Sequence, residues 1–208
     1  MGSDADDLRP APPADDRKVR SQIVDAAFSV LQEVGPTRLR VQEVARRAGV
    51  SATLLYYYFD GKHALIAAAY ARDYELILER DLDLTRGVLA GSKTASELFD
   101  STLKTYALTF RDRDIRRRRL DALSAAQHDP VVAAAIAPLQ RAYIDELRRQ
   151  VEGIRDEGWL PMELDIEAYL LVMMSLPFGL VFSDLDPTYE VDVLSALALL
   201  VPSSPKAG

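Results

Sequence analysis

Apolar residues recur at helical spacing through almost the whole chain. In "RKVRSQIVDAAFSVLQEVG", residues 17–35, Ile23, Ala26, Ala27, Val30 and Leu31 share one face, and Gly35 before Pro36 supplies a natural helix end. "RVQEVARRAG" places Val41, Val44, Ala45 and Ala48 on one face of a second, shorter helix that Gly49 can end in the left-handed conformation. Ser51 is a good N-cap for a third helix, "ATLLYYYF", whose Leu55 and Phe59 pack inward with Val50 and Val44. Thr53, Tyr56 and Tyr57 then lie together on the outer side, while Tyr58 can serve the core. Two short helices joined by a tight glycine turn are the layout of a helix-turn-helix.

The remainder reads as helix to the end, with no convincing alternating strand. Predicted helices cover 62–84, ending near Gly87, then 95–110, 113–127, 130–154, 163–182 and 189–201. Pro130 suits a first helical turn, whereas Pro138 and Pro177 should kink or shorten their helices. The fold class is therefore all-α: an N-terminal three-helix helix-turn-helix domain, then a larger helical domain. The expected boundaries are a disordered acidic tail over 1–16, a helix-turn-helix domain over 17–62 and a helical domain over 63–203.

Charge changes the picture because of where it falls. The net charge is −7, yet residues 17–62 hold eight Lys/Arg against four Asp/Glu, and residues 1–16 hold five aspartates against one arginine. A basic segment on an acidic body points at a polyanion, with chance clustering on a solvated face as the plainer alternative. The absence of cysteine excludes disulfides and thiolate chemistry, and with an acidic start unlike a secretory signal it points to the cytoplasm. The longest nearly uncharged run, 168–182, is too short and too broken to span a membrane, so no membrane partner is expected. The chain has two histidines far apart and no phosphate-cradling loop, nucleophile elbow or metal-ligand cluster. An enzyme is disfavoured on that ground, and neither cofactor nor metal is expected.

The stretch "VQEVARRAGVSATLLYYYFDGKHAL" resembles the signature of TetR-type transcriptional repressors. Matching positions are Val41, Val44, Ala45, Ala48, Gly49, Val50, Ser51, Leu55, Tyr56, Tyr58, Phe59, Lys62 and Leu65. Two positions depart from the pattern. Arg40 stands where the family commonly has a Ser or Thr cap, and Thr53-Leu54 where it usually has a small and then a polar residue. An exposed Leu54 suits either a thymine methyl or a neighbouring helix.

The resemblance implies a ligand-responsive regulator, a repressor in most members, that binds a palindromic operator in double-stranded DNA as a homodimer. The implied base-edge residues are Gln42, Ala52, Thr53 and Tyr57, next to Ser51 at the helix start. Tyr56 and Lys62 match phosphate-contacting positions, and Arg40, Arg17, Lys18 and Arg20 are further candidates for the DNA backbone, the last three also for an adjacent minor groove. For Arg17, Lys18 and Gln42 an ordinary solvated surface role stands beside that reading. The last two helices would form the dimer surface. A small-molecule effector would sit among the middle helices, with Phe99, Leu103, Tyr106, Phe110, Tyr143, Trp159, Tyr169, Met173 and Met174 as candidates, each of which also suits a plain core.

His128 is either a polar handle for that effector or a surface residue at a helix end. The run "RDRDIRRRR", 111–119, reads as a solvated face with salt bridges, with an anionic effector as the alternative. A DNA-binding scaffold or adaptor without an effector is the competing function.

Overall fold

The computed structural model describes residues 14–182, except the side chains of 14–15, 103, 106–111 and 176–182. Among the described residues there are eight helices and no strand: α1 (Ala14–Arg38), α2 (Val41–Ala48), α3 (Ala52–Tyr58), α4 (Gly61–Gly91), α5 (Ala95–Arg111), α6 (Arg113–His128), α7 (Pro130–Asp156) and α8 (Ile166–Phe182). The tail before residue 14 and the expected helix over 189–201 lie outside them. The chain divides into two compact units, one up to Arg72 and one from Asp73 onward, so that α4 contributes residues to both.

In the first unit the expected apolar face of α1 is the core. Ile23, Ala27, Val30 and Leu31 are buried with Leu39, with Val41, Val44 and Ala45 of α2, with Leu55 of α3, and with Phe59, Leu65 and Ala69. Seven residues make too short a helix to persist alone in water, so α3 depends on this packing. Leu55 is fully buried and contributes on the order of 2 kcal/mol by leaving water. The Arg20 guanidinium lies 5.1 Å from the centre of the Phe59 ring, capping the same core.

Helix α1 differs from expectation at both ends. It starts at Ala14, three residues before the expected start, so Arg17 and Lys18 lie within its first turns. Its regular run breaks at Gly35, as expected (φ 74°, ψ 171°), but one more turn follows to Arg38, where the Leu39 N–H donates to the Gly35 carbonyl at 3.2 Å.

In the second unit, α7 packs on α6 and on α8. Val151, Ile166 and Leu170 form one buried cluster, with Leu147, Leu160, Leu164 and Tyr169 against it. Asp129 caps α7, accepting from the Val131 N–H at 2.9 Å. Pro138 does not shorten α7, which continues to Asp156, because a proline inside a long helix forfeits a single backbone bond and packing retains the rest. Nor does α8 stop at Pro177.

The arginine run is not a uniformly solvated face. Arg118 turns inward and its Nε donates to Asp73 on α4 at 2.9 Å, while Arg119 pairs with Asp81 about two turns further along α4. Asp73 is only 3% exposed, and Arg119 and Asp81 are 13% and 11% exposed. Burial alone would lower the pKa of Arg119, but the facing Asp81 carboxylate more than offsets this and holds it above its ordinary value. Arg117 of the same run stays on the surface, paired with Asp114.

Candidate nucleic-acid interface

The turn between α2 and α3 is built from local backbone chemistry. Gly49 has φ 66°, its N–H donates to Arg46, and the Val50 N–H reaches the Ala45 carbonyl at 3.0 Å. This paired closure satisfies the last carbonyls of α2 and turns the chain, while Val50 packs back on the core. Ser51 then opens α3, its Oγ accepting from the Leu54 N–H at 3.1 Å. The Ser51 hydroxyl hydrogen is not used in that bond, so Ser51 keeps one donor for a DNA partner.

Helix α3 presents the face expected of it. Tyr57 is 76% exposed and Tyr56 53%, with Thr53 exposed beside them, while Leu55 on the opposite side is fully buried. Ala52 is half-buried at the start of the helix, and Gln42 on α2 is exposed. Leu54 keeps 37% exposure, which leaves apolar surface available to a thymine methyl. Tyr58 is half-buried, and the ring of Tyr57 meets it edge to face with centroids 5.1 Å apart.

The basic residues of this unit fall into two groups. Arg46 and Arg47 are engaged by Glu43, and Arg47 also by Glu33 at 2.5 Å. Hydrogen bonds from both arginines hold the Glu43 carboxyl down at about 2. Arg17, Lys18 and Arg40 are exposed and, among the described residues, enter no ion pair. Arg40 precedes α2 in an extended conformation and offers its helix no side-chain cap. Such a helix start suits a phosphate oxygen. Lys62 Nζ donates to the Thr37 carbonyl at 3.0 Å, which uses one of its three hydrogens and leaves two.

One contact beside this face has no signal in the sequence. The Tyr58 hydroxyl donates to Asp16 Oδ1 at 2.8 Å across 42 positions, and that bond raises the phenol's pKa. Asp16 belongs to the segment expected to be a disordered tail, and no spacing rule links it to a tyrosine so far along the chain.

The effector candidates lie in the second unit. Tyr143, Trp159, Tyr169, Met173 and Met174 are half-buried, and burial raises the Tyr169 phenol. Phe99 is 42% exposed on α5, which also carries Leu103, Tyr106 and Phe110. His128 is exposed at the end of α6, its Nδ1 2.8 Å from the Ser124 carbonyl. Asp81 Oδ1 is buried with no hydrogen-bond partner among the described residues. Among those residues no group of histidines and carboxylates is arranged to hold a metal, and no helix is long and apolar enough to cross a membrane.

Residues 23–69 match the family model for bacterial regulatory proteins of the tetR family. The chain is 28% identical over 175 residues to the HTH-type transcriptional regulator SrpR of Pseudomonas putida, covering 83% of this chain and 78% of that protein. Among solved structures it resembles a TetR transcription regulator from Haloarcula marismortui, with a TM-score of 0.60 and 21% identity over 88% of this chain and 96% of that one. It also resembles the transcriptional regulator FadR from Bacillus subtilis in complex with stearoyl-CoA, with a TM-score of 0.57 and 20% identity over 88% and 97% of the two chains.

Proposed function

This chain belongs to the TetR family of transcriptional regulators, and from that premise we propose that it binds a palindromic operator as a homodimer and is released by a small-molecule effector, acting as a repressor in the cytoplasm. The observation that carries this reading is the outward face of α3. Thr53, Tyr56 and Tyr57 are exposed on a helix whose inner side and N-terminus are both pinned.

In that role Gln42, Ala52, Thr53 and Tyr57 address base edges, with Ser51 at the helix start. Tyr56, Lys62, Arg40, Arg17 and Lys18 address phosphates and set the register. One such helix reads only a few base pairs, so specificity needs a second copy on a two-fold site. On α8 the adjacent Leu171 and Val172 are 69% and 56% exposed, apolar surface suited to a partner helix, and the apolar run 189–201 extends the same logic.

The effector would lie among the helices of the second unit, where Tyr143, Trp159, Tyr169, Met173 and Met174 offer half-buried aromatic and soft surface. Leu103, Tyr106 and Phe110 on α5 are candidates by position, as is Phe99. The likeness to a FadR solved with stearoyl-CoA supports a ligand-taking second unit without carrying that ligand to this chain. An effector bearing a hydrogen-bond donor would satisfy Asp81 Oδ1, a buried acceptor with no hydrogen-bond partner among the described residues. Coupling is reciprocal, so an effector that weakens DNA binding is itself bound less tightly by the DNA-bound form.

The test is enrichment of the purified chain against a random duplex pool at near-physiological salt. A two-fold symmetric sequence is expected. Binding with no enriched sequence, lost as salt rises, would leave only phosphate contacts and favour a DNA-binding scaffold.

A further inference from the structure

The first turns of α1 hold the far end of α3 at two points. Asp16 and Arg20 lie four apart, and so on one face of α1, and they meet consecutive residues at the close of α3. Asp16 Oδ1 accepts from the Tyr58 hydroxyl at 2.8 Å, and the Arg20 guanidinium lies 5.1 Å from the centre of the Phe59 ring. Asp16 and Tyr58 are both half-buried, so their bond is screened by water less than a pair on the open surface. From Tyr58 the constraint passes to its neighbour. The Tyr57 ring meets the Tyr58 ring edge to face, with centroids 5.1 Å apart and planes at 83°. Successive helical side chains point about 100° apart and do not ordinarily face each other, so this contact needs a Tyr58 ring that is held in place. Tyr57 is 76% exposed, and little packing besides that ring is left to limit its rotamers.

We infer that Asp16 is a positioning residue for DNA recognition: through Tyr58 it sets the rotamer in which Tyr57 meets base edges. This rests on the DNA-binding reading given above and adds to it a residue from outside the helix-turn-helix. A tyrosine that rotates freely must be ordered when it binds, and that cost weakens the complex; one already held against its neighbour avoids most of it. The benefit is confined to complexes in which Tyr57 is fitted to a base edge, because phosphate contacts made by other side chains do not depend on its rotamer. Asp16 therefore acts on sequence preference rather than on general affinity. Its negative charge beside the DNA-facing surface repels phosphate, an effect that falls on every duplex alike.

The test measures affinities of the full chain and its variants for the enriched duplex and for a random duplex of equal length, and takes their ratio. Asp16→Ala and Tyr58→Phe are each expected to lower that ratio about three- to tenfold, with no loss of affinity for the random duplex. Asp16→Asn keeps an acceptor for the Tyr58 hydroxyl and is expected to hold the ratio within about twofold of the parent. In a Tyr57→Ala background Asp16→Ala is expected to leave the ratio unchanged, a result that a role in stability alone would not produce. Without DNA, the nuclear Overhauser contact between the Tyr57 and Tyr58 rings is expected to weaken in Asp16→Ala, and the Tyr57 Hα–Hβ couplings to average; Asp16→Asn should preserve both. Equal losses on both duplexes, the same loss in the Tyr57→Ala background, or Tyr57 couplings identical in parent and Asp16→Ala would overturn the proposal and leave the DNA-binding reading in place. A parent that selects no sequence overturns that reading, and this inference with it.

Discussion

The Lys62 ammonium donates to the Thr37 carbonyl at 3.0 Å, so the cation at the start of α4 is moored to the last turn of α1. That contact holds the Lys62 nitrogen in place while leaving two of its hydrogens free. A Lys62→Gln variant is expected to bind enriched and random duplexes more weakly by similar factors. The slope of log affinity against log salt should fall in magnitude by about one. Titrations at four salt concentrations decide it; a loss confined to the enriched sequence would mean that Lys62 reads bases instead.

Gly49 turns the chain between α2 and α3 at φ 66°, and a Cβ built there would meet nothing within 4 Å. The cost of Gly49→Ala is then conformational alone, about 1 kcal/mol. Gly49→Asn should cost less, because asparagine tolerates the left-handed region better. Urea denaturation of the three proteins gives the order glycine, asparagine, alanine if the turn keeps its shape.

Asp73 is 3% exposed and faces the inward Arg118. Asp73→Ala removes the buried partner of Arg118, leaving the exposed Asp114 at 3.7 Å as its remaining ion pair among those described, and should destabilise the protein by about 3 kcal/mol. Replacing both, as Asp73→Leu with Arg118→Met, should recover most of that loss, since a buried ion pair gains little over apolar groups of similar size. A double-mutant cycle in denaturant measures the coupling; additive losses would mean that the two groups act independently.

Glu43 has its carboxyl lowered from the ordinary 4.5 to about 2 by hydrogen bonds from Arg46 and Arg47. A depressed folded value means that the unfolded chain takes up the proton first on acidification. The stabilisation is complete above about pH 4.5 and is lost as pH falls toward 2. Parent and Glu43→Gln melting temperatures should therefore differ most at neutral pH and converge near pH 2. Glu33, Glu146 and Glu167 are lowered as well, so the difference between the two proteins isolates Glu43.

Much of the first unit was legible in the residues. The face Ile23, Ala27, Val30 and Leu31, the glycine turn at Gly49, the cap at Ser51 and the outward Tyr56 and Tyr57 all follow from local rules. Helix ends were less legible. The extra turn from Pro36 to Arg38 and the start of α1 at Ala14 each meet a residue far along the chain, Lys62 on the Thr37 carbonyl and Tyr58 on Asp16.

What the sequence by itself determined is whatever repeats within a turn or two of backbone. That covers the all-helical class, the helix-turn-helix and the side of α3 that must be wet, because backbone geometry alone places residues three and four apart on one face. Tertiary structure decided which partner each face meets. Arg118 and Arg119 read as solvated charges until Asp73 and Asp81, 45 and 38 positions earlier, turn up opposite them. Asp16 read as tail until Tyr58 reached it. A contact between distant residues has no period to betray it, since it is set by how helices pack rather than by how one helix winds.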